Sequence, residues 1–151
     1  MRPLLLPLLA ALLSPALTAQ PVVSTLSPYL GLDLDASAPL IGVATRLPLP
    51  GPFAVRPSVD LTLTEHDAYL QAEVDLVAGP QSGPVRPYVG AGVAWLAPVK
   101  GSGGDIAGAL LAGVEVPWGS RFRPFAQVRY TAVDVIERWT AAGMVGATVQ
   151  R

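Results

Sequence analysis

The chain has 151 residues, of which 51% are hydrophobic and 14% charged, with a formal net charge of −1, one lysine and no cysteine. One domain fits this length and two do not. The missing cysteines exclude disulfides and thiolate metal sites, and the balanced charge excludes the basic stripe that a nucleic-acid partner requires. Water-facing surfaces carry about a quarter charged residues or more, so this composition suits a chain whose outside is not water.

Residues 1–19 read as a signal peptide for export through the Sec pathway. Arg2 gives the positive start, Leu4 to Leu13 an apolar run, and Ala16-Leu17-Thr18-Ala19 the approach to a cut before Gln20. The run is well short of the ~20 residues that span a bilayer. The mature domain is therefore expected over 20–151.

Eight segments with the period of two of a β-strand follow. The first, Leu26 to Asp35, sets Leu26, Pro28, Leu30, Leu32 and Leu34 against Ser27, Tyr29, Gly31, Asp33 and Asp35. The second, Leu40 to Leu47, sets Ile41, Val43, Thr45 and Leu47 against Gly42, Ala44 and Arg46. The third, Phe53 to Thr64, alternates Val55, Val59 and Leu61 with Arg56, Ser58 and Asp60. The fourth opposes Leu70, Ala72, Val74 and Leu76 to Tyr69, Gln71, Glu73 and Asp75.

The fifth, Val85 to Leu96, has the clearest pattern. Val85, Pro87, Val89, Ala91, Val93 and Trp95 form one apolar face, and Arg86, Tyr88, Gly90 and Gly92 lie on the other. The sixth, Asp105 to Val116, turns Ile106, Leu110, Ala112 and Val114 one way and Gly113 and Glu115 the other. The seventh, Phe122 to Val133, opposes Phe122, Pro124, Ala126, Val128 and Tyr130 to Arg123, Phe125, Gln127, Arg129 and Thr131. The eighth, Trp139 to Gln150, carries Trp139, Ala141, Val145, Ala147 and Val149 on its apolar side. Prolines 28, 57, 87 and 124 recur near the starts of the odd segments, as in four hairpins of one plan, since proline is kept to strand ends or bulges.

A soluble barrel would point the apolar face inward. Three features argue for the inverse. The apolar face carries its aromatics at segment ends: Phe53, Trp118 and Phe122 at one rim, Trp95, Tyr130 and Trp139 at the other, as two membrane-interface girdles require. The polar face is small, with Gly31, Gly42, Ala44, Gly90, Gly92, Gly113 and Gly143 assigned to it, as a narrow lumen demands. It also carries both signs of charge, and buried charges must pair. The expected lumen network is Asp33, Arg46, Arg56, Asp60, Glu73, Asp75, Arg86, Glu115, Arg123 and Arg129.

Arg86-Pro87-Tyr88-Val89-Gly90-Ala91-Gly92-Val93, together with Phe122-Arg123-Pro124-Phe125 and the eight short segments, resembles the small outer-membrane β-barrels of the OmpA/OmpX type. The resemblance covers the whole mature chain. It implies an all-β, eight-stranded antiparallel up-and-down transmembrane barrel, with outer-membrane lipid around it and the barrel-assembly machinery as partner during insertion. That family usually ends its last strand in an aromatic residue, whereas this chain reads Val149-Gln150-Arg151, so another signal is expected to serve insertion.

Little chemistry is on offer. His66 is the single histidine, and His66 with Ser102 or Asp67 is the one conceivable catalytic group, at segment ends where such residues are ordinarily solvated. Lys100-Gly101-Ser102-Gly103-Gly104 lacks the Gly-Lys-Ser/Thr order of a phosphate loop. The expectation is a monomeric structural barrel, or a binder acting through its loops, with no catalysis, no cofactor, no metal, no nucleic acid and no open pore. The alternatives are a secreted lipocalin-like barrel holding an apolar ligand and a lipid-modifying barrel enzyme.

Overall fold

The computed structural model describes residues 25–65, 67–101, 103–133 and 138–150, with backbone alone at 133, 138 and 139. The predicted signal segment 1–19, His66 and Ser102 lie outside the described residues. Eight antiparallel strands follow in order: β1 (Thr25–Asp33), β2 (Ala38–Ala44), β3 (Phe53–Leu63), β4 (Ala68–Ala78), β5 (Arg86–Pro98), β6 (Asp105–Glu115), β7 (Phe122–Val133) and β8 (Arg138–Gln150). Each pairs with its sequence neighbours. The last closes on the first through pairs such as Leu26↔Val149 and Leu30↔Val145, so the barrel has no free edge. We call the end holding Thr25 and Gln150 the terminal rim and the other the distal rim.

Prolines interrupt the ladders without moving the register. Pro57 has no N–H to offer β2, and the β2–β3 pairing lapses at residues 45–46 before resuming, unshifted, at Leu47–Pro48. The β1–β8 pairing lapses in the same way at residues 27–28, beside Pro28. All four prolines predicted near strand starts lie within their strands toward the terminal rim.

The apolar face points out and the polar face in. Leu30, Val93, Ile106, Leu110 and Val128 are about 60% exposed, whereas Asp60, Glu73, Asp75 and Glu115 are at most 2% exposed. This excludes the lipocalin-like alternative, whose charges would face water and whose apolar residues would fill the interior. One predicted orientation is corrected: Gly143 points outward with Val145, because its neighbours Ala142 and Met144 are buried, and a Cβ added at Gly143 meets nothing within 4 Å.

The lumen is filled on a simple rule. Each buried aromatic among the described residues lies over a glycine of the adjacent strand, the pairs being Tyr29↔Gly42, Tyr88↔Gly113 and Phe125↔Gly146. A Cβ at Gly42 would come within 2.5 Å of the Tyr29 ring, one at Gly113 within 2.5 Å of Tyr88, and one at Gly146 within 2.7 Å of Phe125. Tyr29 and Phe125 meet edge to face with centroids 6.5 Å apart and join Leu40, Ala44, Ala142 and Met144 in a small apolar layer.

Overpacking such a site costs about 1–3 kcal/mol. Gly113→Val is therefore expected to lower the unfolding free energy in micelles by about that much. Gly143→Val, on the open outer face, is expected to leave it within about 0.5 kcal/mol. Urea titration of the two variants beside the parent chain measures both.

Candidate functional site

The lumen charges gather into two clusters. The first is built on β3, β4 and β7, with β1 completing it. Arg129 from β7 donates through both terminal nitrogens to Asp60 of β3, Nη1 to Oδ2 at 2.6 Å and Nη2 to Oδ1 at 3.2 Å. Its Nη1 also reaches Glu73 Oε2 of β4 at 3.1 Å. The planar fork of arginine suits this bidentate geometry and lysine would not reproduce it. The Tyr29 hydroxyl donates to Asp60 Oδ2 at 2.9 Å, and Gln71 Nε2 to Glu73 Oε2 at 2.8 Å. Arg56 faces Asp75 across β3 and β4 at a longer 3.5 Å and stands 5.8 Å from the Tyr29 ring centroid.

The second cluster lies nearer the terminal rim. Glu115 of β6 takes Arg46 at 3.0 Å and Arg123 at 3.5 Å. Arg46 stacks 5.0 Å above the Tyr88 ring, whose hydroxyl donates to Gln127 at 3.0 Å. Arg123 also donates to Gln150 at 2.8 Å. Between the clusters a cavity of about 10 Å³ remains, lined in part by Arg46, Arg56, Tyr88 and Glu115. That is room for about one water molecule, so side chains nearly fill the lumen at this height.

Two predicted members of the network stand apart from it. Asp33 ends β1 at the distal turn and accepts the backbone N–H groups of Asp35 and Ala36 at 3.0 and 2.9 Å. A carboxylate satisfied by its own turn needs no arginine. Arg86 sits at the mouth of the terminal rim, where its Nε approaches the Gly83 carbonyl at 3.4 Å and no carboxylate among the described residues reaches it. Conversely, Tyr29, Gln71, Tyr88 and Gln127 were placed inward by their parity but not in the network, because only cross-barrel distance reveals their partners. Of the predicted interface aromatics, Phe53, Trp95, Trp118, Phe122 and Tyr130 are on the outward face and 43–75% exposed. The Trp139 side chain lies outside the described residues.

Chemically, the two clusters are sets of buried, mutually paired charges. Among the described residues no group of three histidines or carboxylates is disposed to hold a metal ion. Asp60 and Glu73 are both fully enclosed and share Arg129 as cation. Breaking a buried ion pair from one side costs about 3–5 kcal/mol. Arg129→Met is expected to lower the unfolding free energy by about that amount, whereas Arg46→Met, whose side chain is 31% exposed, is expected to cost under about 1 kcal/mol. Chemical denaturation of the folded barrel in micelles compares the two.

No known protein-family profile matches the chain, and no curated protein sequence does. Solved structures do resemble it. The N-terminal β-barrel domain of OprF from Pseudomonas aeruginosa superposes with a TM-score of 0.67 at 18% identity, over 85% of this chain and 99% of that one. Neisserial surface protein A does so with a TM-score of 0.61 at 13% identity, over 84% and 92%. Ail, the attachment invasion locus protein of Yersinia pestis, gives 0.57 at 17% identity, over 85% and 97%. The chain has the fold of the small eight-stranded outer-membrane β-barrels.

Proposed function

We propose that this chain is a monomeric outer-membrane barrel with a structural role, exported by a signal peptide over 1–19 and inserted as 20–151 by the barrel-assembly machinery. The observation that carries the reading is the inversion of burial. Aliphatic side chains form an exposed belt around the wall, while paired charges fill the axis. In water that surface would aggregate; in lipid it is the solvated one.

A structural role fits better than binding through distal loops. By the strand bounds, the distal connections 34–37, 64–67 and 99–104 are no longer than the terminal-side turns 79–85 and 116–121. Outer-membrane barrels usually carry longer loops on their extracellular side, so connections this short offer little surface to a partner. We propose no conduction, since only about 10 Å³ of space remains between the two charge clusters, and no catalysis.

Val93, near the middle of β5 and 60% exposed, should sit deep in the belt. Val93→Arg is expected to destabilise the membrane-inserted state by about 2–4 kcal/mol. The same substitution in a water-solvated barrel would cost little. Expressed whole, the protein is expected in the outer-membrane fraction with its N-terminus at Gln20, and silent in planar-bilayer recordings. Recovery of folded protein from the aqueous fraction, or steady channel currents, would contradict the proposal.

A further inference from the structure

The two ends of the barrel differ in charge. Among the described residues, the distal turns carry Asp33, Asp35, Glu65, Asp67 and Asp105 against Lys100. The terminal mouth carries Arg46, Arg86 and Arg123 against Glu115. These three arginines line one cavity of about 270 Å³ that opens at the terminal rim, floored by Tyr88 and Val77. The wall is built rather than incidental: Gly79 N–H donates to the Pro52 carbonyl at 3.0 Å and the Gln81 side chain donates to the Gly51 carbonyl, so the 79–85 turn is tied to the β2–β3 turn.

Arginines are always charged, and Glu115 offsets one of the three. Two positive charges thus remain in a recess that is partly enclosed, where Arg86 has no carboxylate partner among the described residues. Guanidinium forks bind oxyanions through parallel hydrogen bonds. A phosphate monoester carries about −1.5 to −2 charges at pH 7, inorganic phosphate somewhat less and a lipid phosphodiester a single charge, so each can be accommodated by an excess of two. The cavity exceeds a single phosphate and approaches the lower end of small-ligand sites, about 300 Å³.

We propose that the terminal-rim cavity is a binding site for a phosphate group, held by Arg46, Arg86 and Arg123. The group comes either from a soluble phosphate or from an anionic lipid headgroup of the surrounding leaflet. This goes beyond the structural role above and requires only the folded barrel, so its failure leaves that role standing.

The test uses the mature chain folded in nanodiscs of phosphatidylcholine, titrated with inorganic phosphate at low ionic strength by calorimetry. Saturable binding is expected. Arg86→Gln, which breaks no ion pair, is expected to weaken it about tenfold, the loss of one charge-assisted contact. Lys100→Gln, at the opposite rim, is expected to leave it unchanged, and unaltered heat-dependent gel mobility verifies that both variants are folded. Repeating the titration in discs containing phosphatidylglycerol, and in discs given the same negative charge by a fatty acid, separates the sources. A phosphate affinity weaker with phosphatidylglycerol than with the fatty acid identifies a competing headgroup, and equal affinities identify a soluble phosphate. Absence of saturable binding to the parent chain, or equal binding by Arg86→Gln, would overturn the site.

Discussion

Room along the axis is the constraint on which this barrel depends. Eight strands enclose a channel barely wider than one layer of side chains, and every large inward residue must borrow volume from its neighbour. Tyr29 can cross toward Asp60 because Gly42 and Gly146 flank it on β2 and β8. Tyr88 can stack under Arg46 because Gly113 leaves its ring space on β6. Met144 is paired with Gly31, and Leu111 with Gly90, on the same principle. Fill those glycines and the rings move first, followed by the ion pairs that lean on them.

The ion pairs themselves are costly to bury. Each enclosed ion costs several kcal/mol in lost hydration, and pairing repays that only when the geometry and the remaining hydrogen bonds are good. Arg129 meets that condition with three short contacts, whereas Arg56 makes a single long one. What the charges supply is contrast between the two faces. A barrel with apolar side chains on both faces would lack a clear inside, and lipid would solvate either one. Here each residue turned the wrong way would place a charge in hydrocarbon or an aliphatic chain among arginines.

Most of this was legible in the sequence because alternation needs no tertiary knowledge. Val85 to Leu96 reports its two faces residue by residue, and β7 was delimited as Phe122 to Val133 from pattern alone. What parity cannot report is height along the axis or the behaviour of a strand end. Asp33 shares the inward parity of Tyr29, yet β1 ends there and its carboxylate turns to the local amides. Arg86 opens β5 at the mouth, directly across from Glu115 in register, yet Glu115 is held by Arg46 and Arg123 instead. Gly143 was assigned inward against the parity of Val145, its own near neighbour, because glycine carries no hydropathy to flag its side. The rule pairing aromatics with glycines needed register, which becomes readable only once the hairpins are set.

The orientation of burial can be measured directly, because a chain without cysteine accepts single labelled cysteines cleanly. Nitroxide labels placed in turn along 106–112 of β6, in bilayers, report oxygen accessibility at each position. Maxima are expected at Ile106, Gly108, Leu110 and Ala112, with minima at Ala107, Ala109 and Leu111 that neither oxygen nor a polar nickel reagent reaches. Alternation of the opposite phase, or even positions more accessible to the nickel reagent than to oxygen, would contradict it.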